Sequence, residues 1–364
     1  MGFPARITVV MLFALATAAQ SVYAEEPLTP AEHRRTADQT FLTFPEWFLV
    51  FSPAEYADFV ASRAPSEFPF NAHIGELWQG YGHAITATKQ MPFNPGYHVM
   101  TLVIGISTTV EYALRSAYEM LFGRLTEVGD GPPVTAEDAY GARIAQDYVD
   151  FIRVRPWYEF DYVAALRGLW RGVPWKGAHP IRKIERRYAL TTEYGIKAAY
   201  AKLIGWGTQA TYESAAPTTA VIVGNAPADM KDVTRLRDIA PDRALALLPR
   251  YQPFTDVARR LAAAGASFDE IAGNRANALI LVTVVAPQAW APPSGASVLF
   301  RQPVSTRPGI ARHALTTSVG QLSTTLRSLP SSHSPTMSLT PYPCPCSAST
   351  TGRRPSPISF GVSK

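Results

Sequence analysis

The chain has 364 residues, of which 47% are hydrophobic and 17% are charged, and its formal net charge is +5. This length allows two domains of ordinary size, and the charged fraction lies below the roughly 25% of average soluble domains, which favours a membrane or interface component. All 29 acidic residues lie at or before Glu270, so the basic balance comes from the C-terminal quarter. This distribution argues against nucleic-acid binding, which needs a clustered basic surface.

Cysteine usage is equally restrictive. The two cysteines, Cys344 and Cys346, form a CPC sequence in the C-terminal tail. The body of the chain therefore contains neither a disulfide framework nor a cysteine metal site.

Residues 1–24 have the features of an export signal. Arg6 provides the positive start, Ile7–Ala19 an apolar run, and Val22–Ala24 small residues suited to cleavage. We expect either a cleaved signal peptide or a signal that remains as an anchor.

Residues 25–216 are predicted to be a mainly α-helical, aromatic-rich, membrane-associated region. Ser52, Pro53 and Glu55 have the spacing of a capping box, which predicts a helix start at Ser52. Thr135 is expected to cap a second helix. Residues 153–177 mix aromatic and basic side chains, which is typical either of a segment in a bilayer interface or of two helices whose aromatic residues pack inward.

Residues 97–122 are the candidate membrane span, because the chain is uncharged from Asn94 to Val110 and the apolar pattern continues to Phe122. A buried helix of a helical domain is the alternative. Lysine and arginine increase after this segment, which predicts that the following residues are cytoplasmic and that the protein lies in the bacterial inner membrane, with the periplasm as the alternative location.

Three charges near the end of the candidate span, Glu111, Arg115 and Glu119, are spaced four residues apart. On one helix they predict a ladder in which each glutamate pairs with Arg115. A polar seam for helix association or ion passage is the functional alternative.

Residues 217–329 are predicted to form a small α+β domain. The sequences TTAVIVGN and NALILVTVVAP indicate buried strands, with a helix between them. No glycine-rich phosphate loop follows the first strand, so no cofactor-binding residue is predicted. Residues 330–364 are rich in serine and proline and predict a disordered tail. Their abrupt change of composition is also what an out-of-frame gene end would produce.

The strongest candidate for chemistry is a set of possible metal ligands in NAHIGELWQGYGH: His73, Glu76 and His83. Their spacings of three and seven place them on one helical face, where they could bind zinc or iron. The neighbouring glycines weaken the helix, and no HExxH spacing is present. No catalytic residue is identified.

Three segments, TFLTFPEWFLVFSPAEYADF, PWYEFDY and IRKIERRYALTTEYGIKAAYAKLI, together resemble an uncharacterised bacterial family of membrane-associated proteins. The resemblance covers roughly residues 38–310. It implies no known activity, so it transfers no functional residue to this chain.

These observations predict a non-enzymatic membrane-associated protein that binds a partner or ligand. Its expected partners are the lipid bilayer and the helices of other membrane proteins. Two alternatives remain: a metal-binding protein or metal-dependent enzyme using His73, Glu76 and His83, and a soluble exported protein with a cleaved signal.

Overall fold

The computed structural model describes residues 26–34, 43–87, 95–128, 134–209, 218–250, 252–329 and 338–342. The helices are α1 (Thr43–Val60), α2 (Phe70–Ala87), α3 (Pro95–Tyr118), α4 (Arg124–Thr126), α5 (Ala136–Ile152), α6 (Tyr162–Gly172), α7 (Pro180–Gln209), α8 (Gln252–Ala263) and α9 (Leu322–Arg327). The strands are β1 (Thr218–Gly224), β2 (Thr234–Ala240), β3 (Arg243–Pro249), β4 (Ser267–Ile271), β5 (Asn274–Arg275), β6 (Leu279–Pro287), β7 (Ser297–Pro303), β8 (Ile310–Ser318) and β9 (Ser338–Tyr342).

The helices before residue 210 pack as a bundle in which α1 contacts α5, α2 contacts α3, and α6 lies along α7. Leu169 and Tyr194 are buried in the contact between α6 and α7. The predicted cap of α5 is confirmed, because the Thr135 side chain accepts a hydrogen bond from the Asp138 amide. That bond satisfies one of the free amides at the start of the helix.

The predicted helix start at Ser52 is wrong. Helix α1 begins nine residues earlier, at Thr43, and continues through Pro53 to Val60. A proline inside a helix removes one backbone hydrogen bond and normally interrupts the helix. Here Phe48 and Phe51 are buried on the N-terminal side and Ala57 on the C-terminal side, so tertiary packing holds both halves in one helix.

Helix α3 contains most of the candidate span at residues 97–122. In the part of the chain that the structure describes, no helix combines the length and apolarity needed to cross a membrane. The predicted span, the membrane-associated character of the helices and the inner-membrane location are therefore wrong for these residues. Thr101, Ser116 and Glu119 are buried on one side, so the apolar residues form a stripe and do not surround the helix.

Two antiparallel sheets follow the bundle. One has the strand order β2-β3-β1-β4-β5 and the other β7-β8-β6-β9. Their inward faces share one apolar core with α8 and α9, which includes Val221, Leu261, Val282 and Leu322. Strand β1 is buried at every position except its first, in keeping with its uninterrupted apolar sequence.

The two ends of the chain are described only in part. Within the tail expected to be disordered, Ser338–Tyr342 forms β9 and pairs antiparallel with β6. Most of the remaining tail lies outside the described residues, as does the predicted signal at residues 1–24.

The bundle and the sheets meet where α1 and α2 contact the connection between β7 and β8. Val304 packs with Phe48, Phe51 and Leu77. The backbone amide of Ser305 donates to the Glu76 carboxylate over 2.8 Å. This contact fixes the position of α2 against the second sheet.

The shared core of the sheets leads to a stability prediction. Leu261 is 0% exposed and surrounded by apolar side chains. Leu261→Ala should lower the free energy of unfolding by about 2–5 kcal/mol, because it leaves a cavity. Urea denaturation measures the change. The matched variant Leu203→Ala, at a leucine that is 65% exposed, should stay within about 0.5 kcal/mol of the parent. Equal losses in both variants would contradict the assignment of the core.

Candidate functional site

The three predicted metal ligands do not converge on a common point. His73 Nδ1 lies 2.9 Å from the Ser52 hydroxyl, and the Glu76 carboxylate accepts hydrogen bonds from Ser305. His83 stacks on the Phe300 ring with 4.7 Å between ring centres. Among the described residues, no group of three or more histidine, cysteine, aspartate or glutamate side chains is placed to hold a metal ion. The metal site therefore stays a prediction that this geometry does not favour.

Helix α7 instead carries a buried row of cations at Arg182, Lys183, Arg186 and Arg187. Their spacing of one and four residues places them on one side of the helix. A buried charge requires a partner, since taking it out of water is costly. The structure supplies those partners from the start of α5, from the π-helical turn that follows α3, and from Glu185 on α7 itself.

Glu137, in the first turn of α5, has no exposed surface and binds two of these cations. Its carboxylate lies 2.6 Å from Lys183 Nζ and 2.5 Å from Arg187 Nη2. The neighbouring Asp138 carboxylate lies 3.0 Å from Arg182 Nη2. These ion pairs join the beginning of α5 to the beginning of α7.

Glu119 is the partner of Arg186, the remaining cation of the row. The predicted ladder, in which Glu119 pairs with Arg115, is therefore wrong at this position. Arg186 donates two parallel hydrogen bonds of 2.9 Å to the Glu119 carboxylate. A side chain at Gly123, one turn later, would collide with that carboxylate. Glu111 does pair with Arg115, at 3.6 Å, as the spacing predicts, but Glu119 takes its partner from α7.

Farther along the same side of α7 lies a second cluster, the charge quartet, which consists of Glu111, Arg115, Glu193 and Lys197. Glu193 lies 3.4 Å from Arg115 Nη2 and 2.9 Å from Lys197 Nζ. Lys197 Nζ also lies 3.1 Å from the Glu111 carboxylate. The side chain of Glu111 is 42% exposed, whereas those of Arg115 and Lys197 are about half as exposed.

The quartet lines a cavity of about 130 Å³ between α1, α3, α5 and α7. Apolar side chains, including Phe48, Leu49 and Ile144, form other parts of its wall. Lys197 Nζ lies 5.6 Å from the centre of the Tyr148 ring, and Arg115 stands 4.3 Å above the Tyr56 ring. Paired charges and aromatic faces therefore meet on one wall of a partly open cavity.

Hydroxyl groups add neutral hydrogen-bonding capacity to the same wall. The Ser52 hydroxyl lies 2.7 Å from the Tyr112 hydroxyl and 2.9 Å from His73 Nδ1. Tyr162 is buried at the cavity, and burial raises the pKa of its hydroxyl to about 12. Its oxygen makes no hydrogen bond of normal geometry with any described residue.

The protonation states of these groups are fixed at neutral pH. Burial by itself would raise the pKa of Glu193, but the charges of Arg115 and Lys197 outweigh it and hold that pKa at about 2. Burial disfavours the Lys197 ammonium, yet Glu111 and Glu193 hold its pKa well above the usual value. Burial, reinforced by the charge of Arg312, lowers the pKa of His73 to about 4.

The quartet is not predicted from the sequence, because the spacing of charges along the chain indicates only pairs within one helix. A signal was present: Glu193 and Lys197 repeat on α7 the glutamate-to-cation spacing of Glu111 and Arg115 on α3. Two such pairs on neighbouring helices can exchange partners once the helices pack. Only the packing shows that they do.

Comparison with known proteins yields no relative. No family model, curated protein or solved structure matches the chain. The resemblance to a bacterial membrane-associated family stays a prediction, and the function has to be argued from the site itself.

The buried row of ion pairs leads to a stability prediction. Glu137→Ala leaves Lys183 and Arg187 buried without their shared carboxylate, which should cost about 3–5 kcal/mol of unfolding free energy. Chemical denaturation measures this loss. Glu159→Ala, at an exposed glutamate, should change stability by less than about 0.5 kcal/mol. A loss at Glu137 no greater than at Glu159 would show that the row does not hold the bundle together.

A second prediction concerns acid stability. The pKa of Glu193 is about 2 in the folded protein, below the value of about 4.3 for an unfolded glutamate. The stabilisation is therefore complete above the unfolded value and is lost as the pH falls toward 2. In Glu193→Gln, unfolding free energy should depend less steeply on pH in this window, as urea titrations at several pH values would reveal. Glu159→Gln should keep the parental slope, and an unchanged slope in Glu193→Gln would contradict the assignment.

Proposed function

We propose that this protein binds a compact zwitterionic molecule, carrying one ammonium and one carboxylate, in the cavity between α1, α3, α5 and α7. The observation that carries the proposal is the exposure of Glu111 beside the paired Arg115 and Lys197 on the cavity wall. A binding site needs charged groups that a ligand can reach.

The cavity volume limits the size of the ligand. A cavity of about 150 Å³ accommodates benzene, so about 130 Å³ encloses a molecule of up to roughly six non-hydrogen atoms. This range contains small amino acids and related amine–carboxylates. It excludes nucleotides, cofactors of comparable size and lipids from complete enclosure.

The charge balance favours a zwitterion over an ion. The quartet contains two carboxylates and two cations, so its formal charge is zero. A ligand with a single charge would add an uncompensated charge to a partly dehydrated site. A zwitterion preserves the balance, because its ammonium can pair with Glu111 while its carboxylate pairs with Lys197 or Arg115. The Tyr148 ring offers a further contact for the ammonium.

The protonation states favour binding over acid–base catalysis. A general acid or base works best with a pKa near the working pH. Lys197 is held as an ammonium, Glu193 as a carboxylate and His73 as a neutral imidazole. Ammonium Lys197 also lacks the free electron pair that a nucleophilic amine requires. These groups act as fixed charges and dipoles, which is what recognition of a charged ligand uses.

Thermal denaturation with a matched set of small molecules tests the proposal. β-Alanine, γ-aminobutyrate and proline carry both charges, whereas butylamine and butyrate carry one each at similar size. At least one zwitterion should stabilise the protein, by about 2.7 kcal/mol when its concentration is a hundredfold above Kd. Butylamine and butyrate should have smaller effects. The proposal would be overturned if no zwitterion stabilised the protein. It would also be overturned if butyrate were the most stabilising compound.

Substitution at the exposed carboxylate locates the binding site. Glu111→Gln should remove the stabilisation by the zwitterion, since a neutral amide cannot pair with the ammonium. The control Glu159→Gln changes the same chemical group away from the cavity and should retain it. Calorimetric titration of both variants measures the difference, and retained affinity in Glu111→Gln would place the ligand elsewhere.

A further inference from the structure

Helix α3 has a second face, on the side away from the cavity, with a regular apolar repeat. Its members alternate in spacings of four and three residues and are all exposed. They form the α3 stripe: Val99, Val103, Ile106, Val110, Ala113 and Ala117. The four larger side chains are 53–61% exposed. Alternation of four and three is the repeat with which one helix packs along another.

The stripe belongs to a broader apolar surface that is exposed in the single chain. The largest patch on a typical monomer covers about 300–600 Å². Leu102, Leu114 and Leu121 are also exposed and widen the stripe on its flanks. An extended exposed apolar patch of this kind marks a protein–protein contact, to which each partner contributes about 800 Å² in a standard interface.

The occupant that fits this surface is a second α3. Large residues occupy the N-terminal half of the stripe, and the two alanines lie in its C-terminal half. In an antiparallel pair related by a twofold axis near Thr108, Val99 faces Ala117 and Val103 faces Ala113 of the partner copy. Ile106 then faces Val110. Large side chains meet small ones at two of the three levels, which lets the helices approach closely.

We propose that the protein forms a twofold-symmetric dimer through antiparallel pairing of the α3 stripes. A twofold interface uses the same patch on both copies, so the patch has to be complementary to itself. The uncharged α3 stripe meets this condition, because no like charges face each other in the pair. Antiparallel helices also place their dipoles in opposite directions.

Sedimentation equilibrium of the purified full chain tests the proposal first. The mass should be twice the chain mass of 39.7 kDa at micromolar concentration. Ile106→Glu should reduce it to the mass of one chain, since it places two buried carboxylates in the interface. Ile106 is exposed in the single chain, so the variant should fold, which circular dichroism checks. Leu203→Glu, at a similarly exposed apolar position on α7, should remain a dimer.

Cysteine cross-linking then tests the direction and register of the helices. In a background with Cys344→Ser and Cys346→Ser, Val103→Cys and Ala113→Cys should each fail to cross-link alone. A mixture of the two should form a disulfide-linked dimer, because their Cα atoms come within disulfide range only in the antiparallel pair. Self-cross-linking of Val103→Cys would indicate parallel helices and overturn the proposal. So would a monomeric parent, a dimeric Ile106→Glu, or a monomer that binds lipid vesicles through the stripe.

Discussion

The pairing of buried charges on α7 is the constraint on which the helical bundle depends. Arg182, Lys183, Arg186 and Arg187 face the interior, where an unpaired charge would be costly. Glu185 on α7 itself contributes one partner, and the others come from two distant places in the sequence, the π-helical turn Glu119–Gly123 after α3 and the first turn of α5. Each cation accordingly fixes the position of one helix end against α7. The register of the three helices follows from these ion pairs as much as from apolar packing.

The charge quartet continues the line of ion pairs along α7, but its side chains are more exposed than those of the buried row. Along α7, the cations near the N-terminus have buried partners, whereas Lys197 pairs with the more exposed Glu111, although both groups of charges contribute to the cavity wall. The chemistry of the pairs is the same in both places. The difference is that Glu111 remains accessible, so a ligand can compete for its partners without breaking the pairs that hold the bundle together. Stability and binding are thus separated along one helix.

Helix α3 combines two opposite faces, and this explains why its sequence suggested a membrane span. Its apolar residues form an exposed stripe, and its polar residues Thr101, Ser116 and Glu119 are buried against the bundle. Hydropathy along the sequence averages over both faces. The averaged apolar content suggested lipid, while the arrangement of the residues around the helix fits the packing of one helix against another. Helix α3 lines the cavity through Thr108, Glu111 and Arg115, and its apolar stripe carries the proposed dimer contact.

Local features of the sequence determined a good part of the secondary structure. Helical periodicity marks the region before residue 210, apolar runs mark β1 and β6, Thr135 marks the start of α5, and the spacing of Glu111 and Arg115 marks an ion pair. Each of these depends on residues within a few positions of one another, so the sequence alone contains the necessary information. The tertiary structure decided the partners of Ser52, Glu76 and Glu119. From the sequence, Ser52 is a suitable helix cap, Glu76 a suitable metal ligand, and Glu119 a suitable partner for Arg115. Each of these interactions is chemically reasonable. Packing brought other partners closer, and a buried polar group binds the partner that the fold places within reach.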